Sequence, residues 1–348
     1  ISLTSSVLAP VVSVTKEVPQ TGVTNNSWDV SSTTENYTRL DSAAATTLDF
    51  VGFGVSGASF VDSFSIGAQD TTPAAVAFNT DGTKMFVVGH DTAAVYEYTL
   101  STAFDVSTAT VVDGFSVSSQ EATPAGLAFN TDGTKMFVLG YSGDDVNEYT
   151  LSTGFDVSTA SFVDSFSVAG QDAAPVSLAF NTDGTKMFVL GSSGKDVNEY
   201  TLSTGFDVST STFVDSFSVS AQDTEPRGVA FNTDGTTMFI VGQTGDSVYE
   251  YALTTGFDVS TASFVASFSV SAQDITPSGI AFSTDGMKMF VVWQYGDDVN
   301  EYSVSPTSVT LGTGSFASAD VGKTIEANSG AFVLTATDGS YVQTTAPT

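Results

Sequence analysis

"AFNTDGTKMFV", residues 77–87, returns four more times along this chain, twice unchanged and twice with small changes. The later copies are residues 128–138, 179–189, 230–240 ("AFNTDGTTMFI") and 281–291 ("AFSTDGMKMFV"), each starting 51 residues after the one before. A fixed period of this length decides the fold before local propensity does. Within the phrase, "AF" ends one strand, "NTDGT" turns the chain and "KMFV" opens the next strand. Asp-Gly is a strong hairpin signal, because Gly accepts positive φ and Asp caps its own turn. The apolar run "MFVVG" suits a strand buried on both faces.

Each copy holds four such strands between Gly, Asp, Pro, Ser and Thr clusters; in the second they are Thr110–Val117, Gly126–Phe129, Lys135–Gly140 and Val146–Leu151. No segment carries a 3.6-residue apolar stripe, so helix is expected to be nearly absent. Four-stranded units near 50 residues, each too small to bury its own faces, predict an all-β chain built as a β-propeller. The period begins near Gly52, where "GFGVSGASF" matches "GFDVSTASF" at Gly154–Phe162, and it ends with Val299–Val304. The array therefore opens with one spare strand, Phe60–Ile66, and closes with a blade that lacks one. Five blades are predicted, with the N-terminal strand of the array completing the last blade, which leaves no open blade to template aggregation.

The pattern Pro-x-x-x-Ala-Phe-x-x-Asp-Gly-x-x-Met-Phe-Val resembles the propeller repeats of the YVTN, NHL and lactonase-like group over about Gly52–Pro306. That group includes enzymes, scaffolds and binding modules, so the resemblance implies a fold and leaves function open. Three parts are expected: a Ser/Thr-rich attachment segment at 1–51, the propeller at 52–306, and a small β module at 307–348. The stretch Gly314–Tyr341 resembles short β modules of bacteriophage tail and fibre proteins, and the repeats resemble arrays in phage virion proteins.

Composition narrows the partners. The 348 residues carry 39 acidic against 9 basic side chains, a formal charge of −30. Such a surface repels phosphate backbones and anionic lipid, so neither nucleic acid nor membrane is expected as a partner. No stretch approaches the roughly 18–20 apolar residues of a membrane helix. With no cysteine, disulfides and thiolate metal sites are excluded.

The five copies also differ from one another in an informative way. The "NTDGTK" turn and the "STGFDVSTAS" connection hardly vary, whereas the segment after "FSV" and the loop after "MFV" do. Alternate connections of a blade emerge on one face, so the two variable connections share a face, the natural place for recognition. Its candidate ligand-binding residues are His90, Tyr141, Gln243, Trp293, Gln294, Tyr295 and Arg227. Aromatic faces stack on sugars and anchor protein contacts. The same face repeats a carboxylate three residues before a proline: Asp70, Glu121, Asp172, Asp223 and Asp274. These acids either ring the channel mouth and recruit calcium, a hard cation that prefers oxygen ligands, or cap the turns that follow them. Otherwise no cofactor is expected. The hairpin acids Asp81, Asp132, Asp183, Asp234 and Asp285 read as structural, as do Glu97, Glu148, Glu199, Glu250 and Glu301, expected to pair within or between blades.

Catalytic groups are scarce. His90 is the sole histidine, and no nucleophile elbow or phosphate loop occurs. The expectation is a non-enzymatic virion protein, a phage tail fibre or surface appendage. It would be extracellular on the particle, binding a host glycan or protein, or another virion subunit, and would form homo-oligomers through its flanks. Two alternatives stay open: a secreted or cell-surface microbial adhesin, lectin or filament subunit, and a lactonase-like or glycan-cleaving propeller hydrolase with paired carboxylates.

Overall fold

In a computed structural model of the chain, the described residues are 52–304 except 274, with the backbone of a few short strands beyond them. The chain divides into two compact units, one of Val55–Thr284 with Met289–Ser303, the other of Ile1–Gly54, Asp285–Lys288 and Val304–Thr348. In the second unit, Leu48–Val51 and Ser340–Val342 pair antiparallel with opposite edges of Ser308–Leu311, and Thr324–Ala327 pairs with Gly330–Val333. Asp274 and most residues of the two expected flanks, 1–51 and 307–348, lie outside the described residues.

The array is a five-bladed β-propeller of four-stranded antiparallel blades. Blade one consists of Pro73–Phe78, Lys84–Gly89, Ala94–Leu100 and Ala109–Ser116, in that order across the sheet. The next three blades repeat this order, and the fifth joins Pro277–Phe282, Lys288–Trp293 and Asp298–Ser305 to Gly54–Ser65. The spare N-terminal strand thus closes the ring as expected. Among the described residues only short 3-10 turns interrupt the strands, each a Val-Ser-Thr such as Val106–Thr108.

The innermost strands, Pro73–Phe78 and its counterparts, contact one another around the full ring, the last touching the first. The second strands are buried on both faces; Met85, Phe86, Val87 and Val88 are all inaccessible to solvent. Cores lie between blades. One cluster draws Phe86, Val88 and Val95 from blade one and Leu127, Met136, Val138 and Tyr149 from blade two. Outer strands face solvent with exposed Val112, Val163, Val214 and Val265, and a register shift beside Asp113 (Val111/Asp113) breaks the edge ladder of blade one. Such bulges and edge charges discourage strand addition.

The turn of the repeated phrase shows why each of its residues is needed. Asn79 Oδ1 accepts the Lys84 N–H at 2.8 Å, and Asp81 Oδ1 accepts the Thr83 hydroxyl at 2.6 Å. Gly82 sits at φ +71°. Its Cα lies under the Phe104 ring, so an added Cβ would fall 2.2 Å from that ring. Phe104 is itself left-handed, at φ +54°, and its N–H donates to the Gly82 carbonyl at 2.9 Å. The same interlock recurs as Gly133–Phe155, Gly184–Phe206, Gly235–Phe257 and Gly286–Phe53.

In three places an ion pair of a half-buried lysine and a buried glutamate links an interlock to the blade before it. Lys84 Nζ donates to Glu97 Oε1 and to the Phe155 carbonyl of blade two, both at 2.6 Å. Glu97 Oε2 accepts the Val157 N–H at 3.1 Å. Lys135–Glu148 and Lys186–Glu199 repeat the arrangement, so these glutamates pair within and between blades as predicted. In blade four Thr237 replaces the lysine, and Glu250 keeps only the closing contact, a 3.1 Å bond from the Val55 N–H.

Two outcomes follow from this geometry. Gly133→Ala strains a left-handed backbone by roughly 1–2 kcal/mol and drives a methyl into Phe155, so Tm in a thermal melt should fall by about 5 °C or more. Burial pushes the Glu250 carboxyl up, so its ionisation at neutral pH costs stability. Thr237→Lys should therefore raise Tm by about 3 °C or more at pH 7, a gain that shrinks toward pH 4 as Glu250 becomes neutral.

Candidate functional site

Innermost strands run from the variable face to the constant face, so their residue order maps the axial channel. Its middle is lined by the small side chains Ala77, Ala128, Ala179, Ala230 and Ala281. At the constant-face mouth, threonines chain blade to blade: Thr131 donates to the Thr182 carbonyl, Thr182 to that of Thr233, and Thr233 to that of Thr284. These three hydroxyls are spent on the scaffold.

The variable-face mouth is a cavity of about 250 Å³. Two equivalent positions line it. The residue after the strand-opening proline contributes Ala74, Ala125, Val176, Arg227 and Ser278, and the residue ending the second strand's loop entry contributes His90, Tyr141 and Gln294. Tyr295 completes the lining. Backbone ties such as Tyr141 N–H to the Thr123 carbonyl, 3.1 Å, fix the second position in every blade. Arg227 Nε donates to Gln243 Oε1 at 3.0 Å, so Gln243 orients the guanidinium. Five of the seven sequence-predicted ligand residues, His90, Tyr141, Arg227, Gln294 and Tyr295, therefore line this cavity, and Gln243 holds one of them.

Trp293 does not join them. It is fully buried, at 0% exposure, where the second strand pairs it with Pro277. The other four blades place glycine at this position, and the strand register turns the side chain into the blade instead of the mouth. Those glycines have a reason of their own: a Cβ on Gly89 would fall 2.2 Å from the Asp70 carboxylate.

The repeated carboxylates do not ring an open mouth. Asp70, Glu121, Asp172 and Asp223 are only 2–4% exposed. Asp70 accepts the Thr72 N–H at 2.7 Å, and the Thr92 N–H and hydroxyl at 2.8 and 2.6 Å. Glu121 takes Thr123 and Gly143, Asp172 takes Ala174 and Gly194, and Asp223 takes Glu225, Gly245 and the Tyr249 hydroxyl. Each carboxylate stitches the two variable connections of its blade, which is the turn-capping role. Among the described residues no three acidic or histidine side chains converge as a metal site.

Blades two and three hold a second acid beside the first. A Cβ on Gly143 would lie 2.8 Å from both Asp145 Oδ1 and Glu121 Oε2, and Gly194 is similarly placed between Asp196 and Asp172. Burial pushes the Asp145 and Asp196 carboxyls up against the pull of Asn147 and Asn198, with Glu121 and Asp172 adding to the rise. His90 Nδ1 stands 3.6 Å from Asp91 Oδ1, beyond hydrogen-bond range, and among the described residues no Ser or Thr hydroxyl bonds to His90.

No family model matches the chain, and no curated protein matches it. Solved structures do. A protein of unknown function from Desulfotomaculum acetoxidans DSM 771 aligns at 15% identity and TM-score 0.40, covering 70% of this chain and 68% of that one. A candidate 6-phosphogluconolactonase from Bacteroides uniformis ATCC 8492 aligns at 12% identity and TM-score 0.42, over 76% and 72%. The β-propeller domain of Cps50 (Swd1) from Myceliophteria thermophila aligns at 9% identity and TM-score 0.41, over 71% and 100%.

Two measurements check the site chemistry. Asp172→Ala leaves the Ala174 and Gly194 amides without their acceptor and should lower Tm by several degrees, while chelator leaves the Tm of the unaltered chain unchanged. Asp145 is raised above its unfolded value, so it contributes least where it is ionised. Asp145→Asn should accordingly raise Tm slightly at pH 7 and not at pH 4. Two of the four equivalent positions already carry an uncharged residue, Ala94 and Ser247.

Proposed function

We propose that this chain is a non-enzymatic attachment protein of a virion, a phage tail fibre or comparable surface appendage, whose propeller binds a host glycan or protein at the variable-face mouth. One observation carries the reading. Tyr295, 70% exposed, and Tyr141, 42% exposed, stand at the rim of a cavity whose remaining polar groups belong to no catalytic arrangement. Exposed aromatics beside a concave polar floor are what a binding site needs, and solvent exposure of such rings serves no packing purpose. The cavity is slightly smaller than common ligand pockets of roughly 300–1,000 Å³, a size for one terminal sugar or side chain. The N- and C-terminal flanks attach the propeller to the particle or to sister chains, in keeping with the resemblance of Gly314–Tyr341 to phage fibre modules.

A secreted or cell-surface adhesin would use the same mouth and differ in what the flanks hold. Tail or capsid genes beside the coding gene favour the virion; secretion or pilus genes favour the adhesin. The binding claim is tested with labelled chain on a glycan panel and on bacterial cells. Tyr295→Ala and Tyr141→Ala should each reduce binding about tenfold or more while leaving Tm within a degree or two. Binding that survives both substitutions, or hydrolysis of any sugar or lactone in the panel, contradicts the reading.

A further inference from the structure

The mouth departs from fivefold symmetry in one decisive place. At the position after the strand-opening proline, four blades carry small side chains, Ala74, Ala125, Val176 and Ser278, and the fourth carries Arg227. Arg227 is one of two arginines in a chain with 39 acidic residues, and the only one within the propeller. Elsewhere in the ring, Lys84, Lys135 and Lys186 each meet a carboxylate within 2.7 Å. Arg227 meets none: among the described residues its one side-chain bond is Nε to Gln243, which leaves the two terminal nitrogens of the guanidinium to the cavity.

Resting on the reading of this mouth as a binding site, we infer that its ligand is a sugar bearing a carboxylate, a uronic or related acidic terminal residue. A guanidinium held at one edge presents its other edge for a bidentate pair with a planar carboxylate. Gln243 supplies the holding bond, so the side-chain order needed for that pair is already in place. Tyr295 and Tyr141 provide ring faces for the apolar side of a pyranose, and His90 and Gln294 provide further hydrogen-bonding groups. The small residues at the other four positions leave room for the ring. The overall charge of −30 argues for a single terminal acid, since an extended polyanion is repelled by the whole surface.

The experiment titrates the full chain with methyl glucuronoside, methyl glucoside and N-acetylglutamate by ligand-observed NMR, beside the cell-binding assay. The glucuronoside should bind at least about tenfold tighter than the glucoside, and Arg227→Gln should remove that difference with Tm unchanged. Arg227→Lys should keep part of it, because a point charge remains without the bidentate geometry. Equal binding of the two glycosides, binding of neither, or a preference that survives Arg227→Gln overturns the inference. Tighter binding of N-acetylglutamate than of the glucuronoside overturns the sugar assignment in favour of a peptide acid. If cells are still bound through the tyrosines in any of these cases, the attachment reading stands without the inference. If cell binding by the unaltered chain is absent as well, both fail.

Discussion

A phenylalanine ring lying on the bare Cα of a glycine, repeated once per blade, is the contact on which the remaining architecture rests. Gly82 must be left-handed to turn the hairpin, and it must lack a side chain because Phe104 occupies that space. Phe104 must in turn be left-handed to reach back, and its N–H closes on the Gly82 carbonyl. Two connections on one face are thereby locked to each other. The lysine–glutamate pair of the preceding blade then grips this unit through the Phe155 carbonyl and the Val157 N–H. Phe86, Phe129 and Phe155, in mutual ring contact, fill the space beneath. Blade angle and blade spacing are set by the same few atoms, and that is why the residues supplying them hardly vary among the five copies.

With one face committed to holding the ring, the other is released from that demand. The variable connections need only an internal tie, and Asp70 and its counterparts provide it through backbone amides that any loop sequence offers. Residues on either side of the tie are then free to differ. His90, Tyr141 and Gln294 occupy one equivalent position, and Arg227 stands where other blades have Ala, Val or Ser. A symmetric scaffold thus carries an asymmetric mouth, which recognition of a small asymmetric ligand requires.

Much of this was legible in the sequence because it is periodic. The 51-residue repeat counted the blades, the Asp-Gly turn placed the hairpins, and the spare strand expected at Phe60–Ile66, observed as Gly54–Ser65, announced the closure. The division between constant and variable faces also came from comparing copies. Three things were legible only in part. The carboxylates of Asp70, Glu121, Asp172 and Asp223 fold inward over a glycine, a displacement set by loop path that spacing does not encode. Trp293 stood among the candidates because it borders a variable loop, although its place at a strand end pointed to packing, and the pairing with Pro277 does direct it into the blade. Arg227 stood among the candidates, but only the ring of equivalent small residues and the bond to Gln243 show that its charge is unmatched. A signal was present in the copies themselves: one cation at a position otherwise small and neutral.

The central claim is a division of labour between the two faces, stability on the constant face and binding on the variable mouth. The most direct measurement is a saturation substitution scan of both faces that reads folded yield and cell or glycan binding separately. Substitutions at Gly133, Phe155, Lys135 and Glu148 should lower binding only in proportion to the folded fraction lost. Those at Tyr141, Arg227, Gln243 and Tyr295 should lower binding per folded molecule. Constant-face substitutions that abolish binding while the protein stays folded, with the mouth indifferent, would contradict the account.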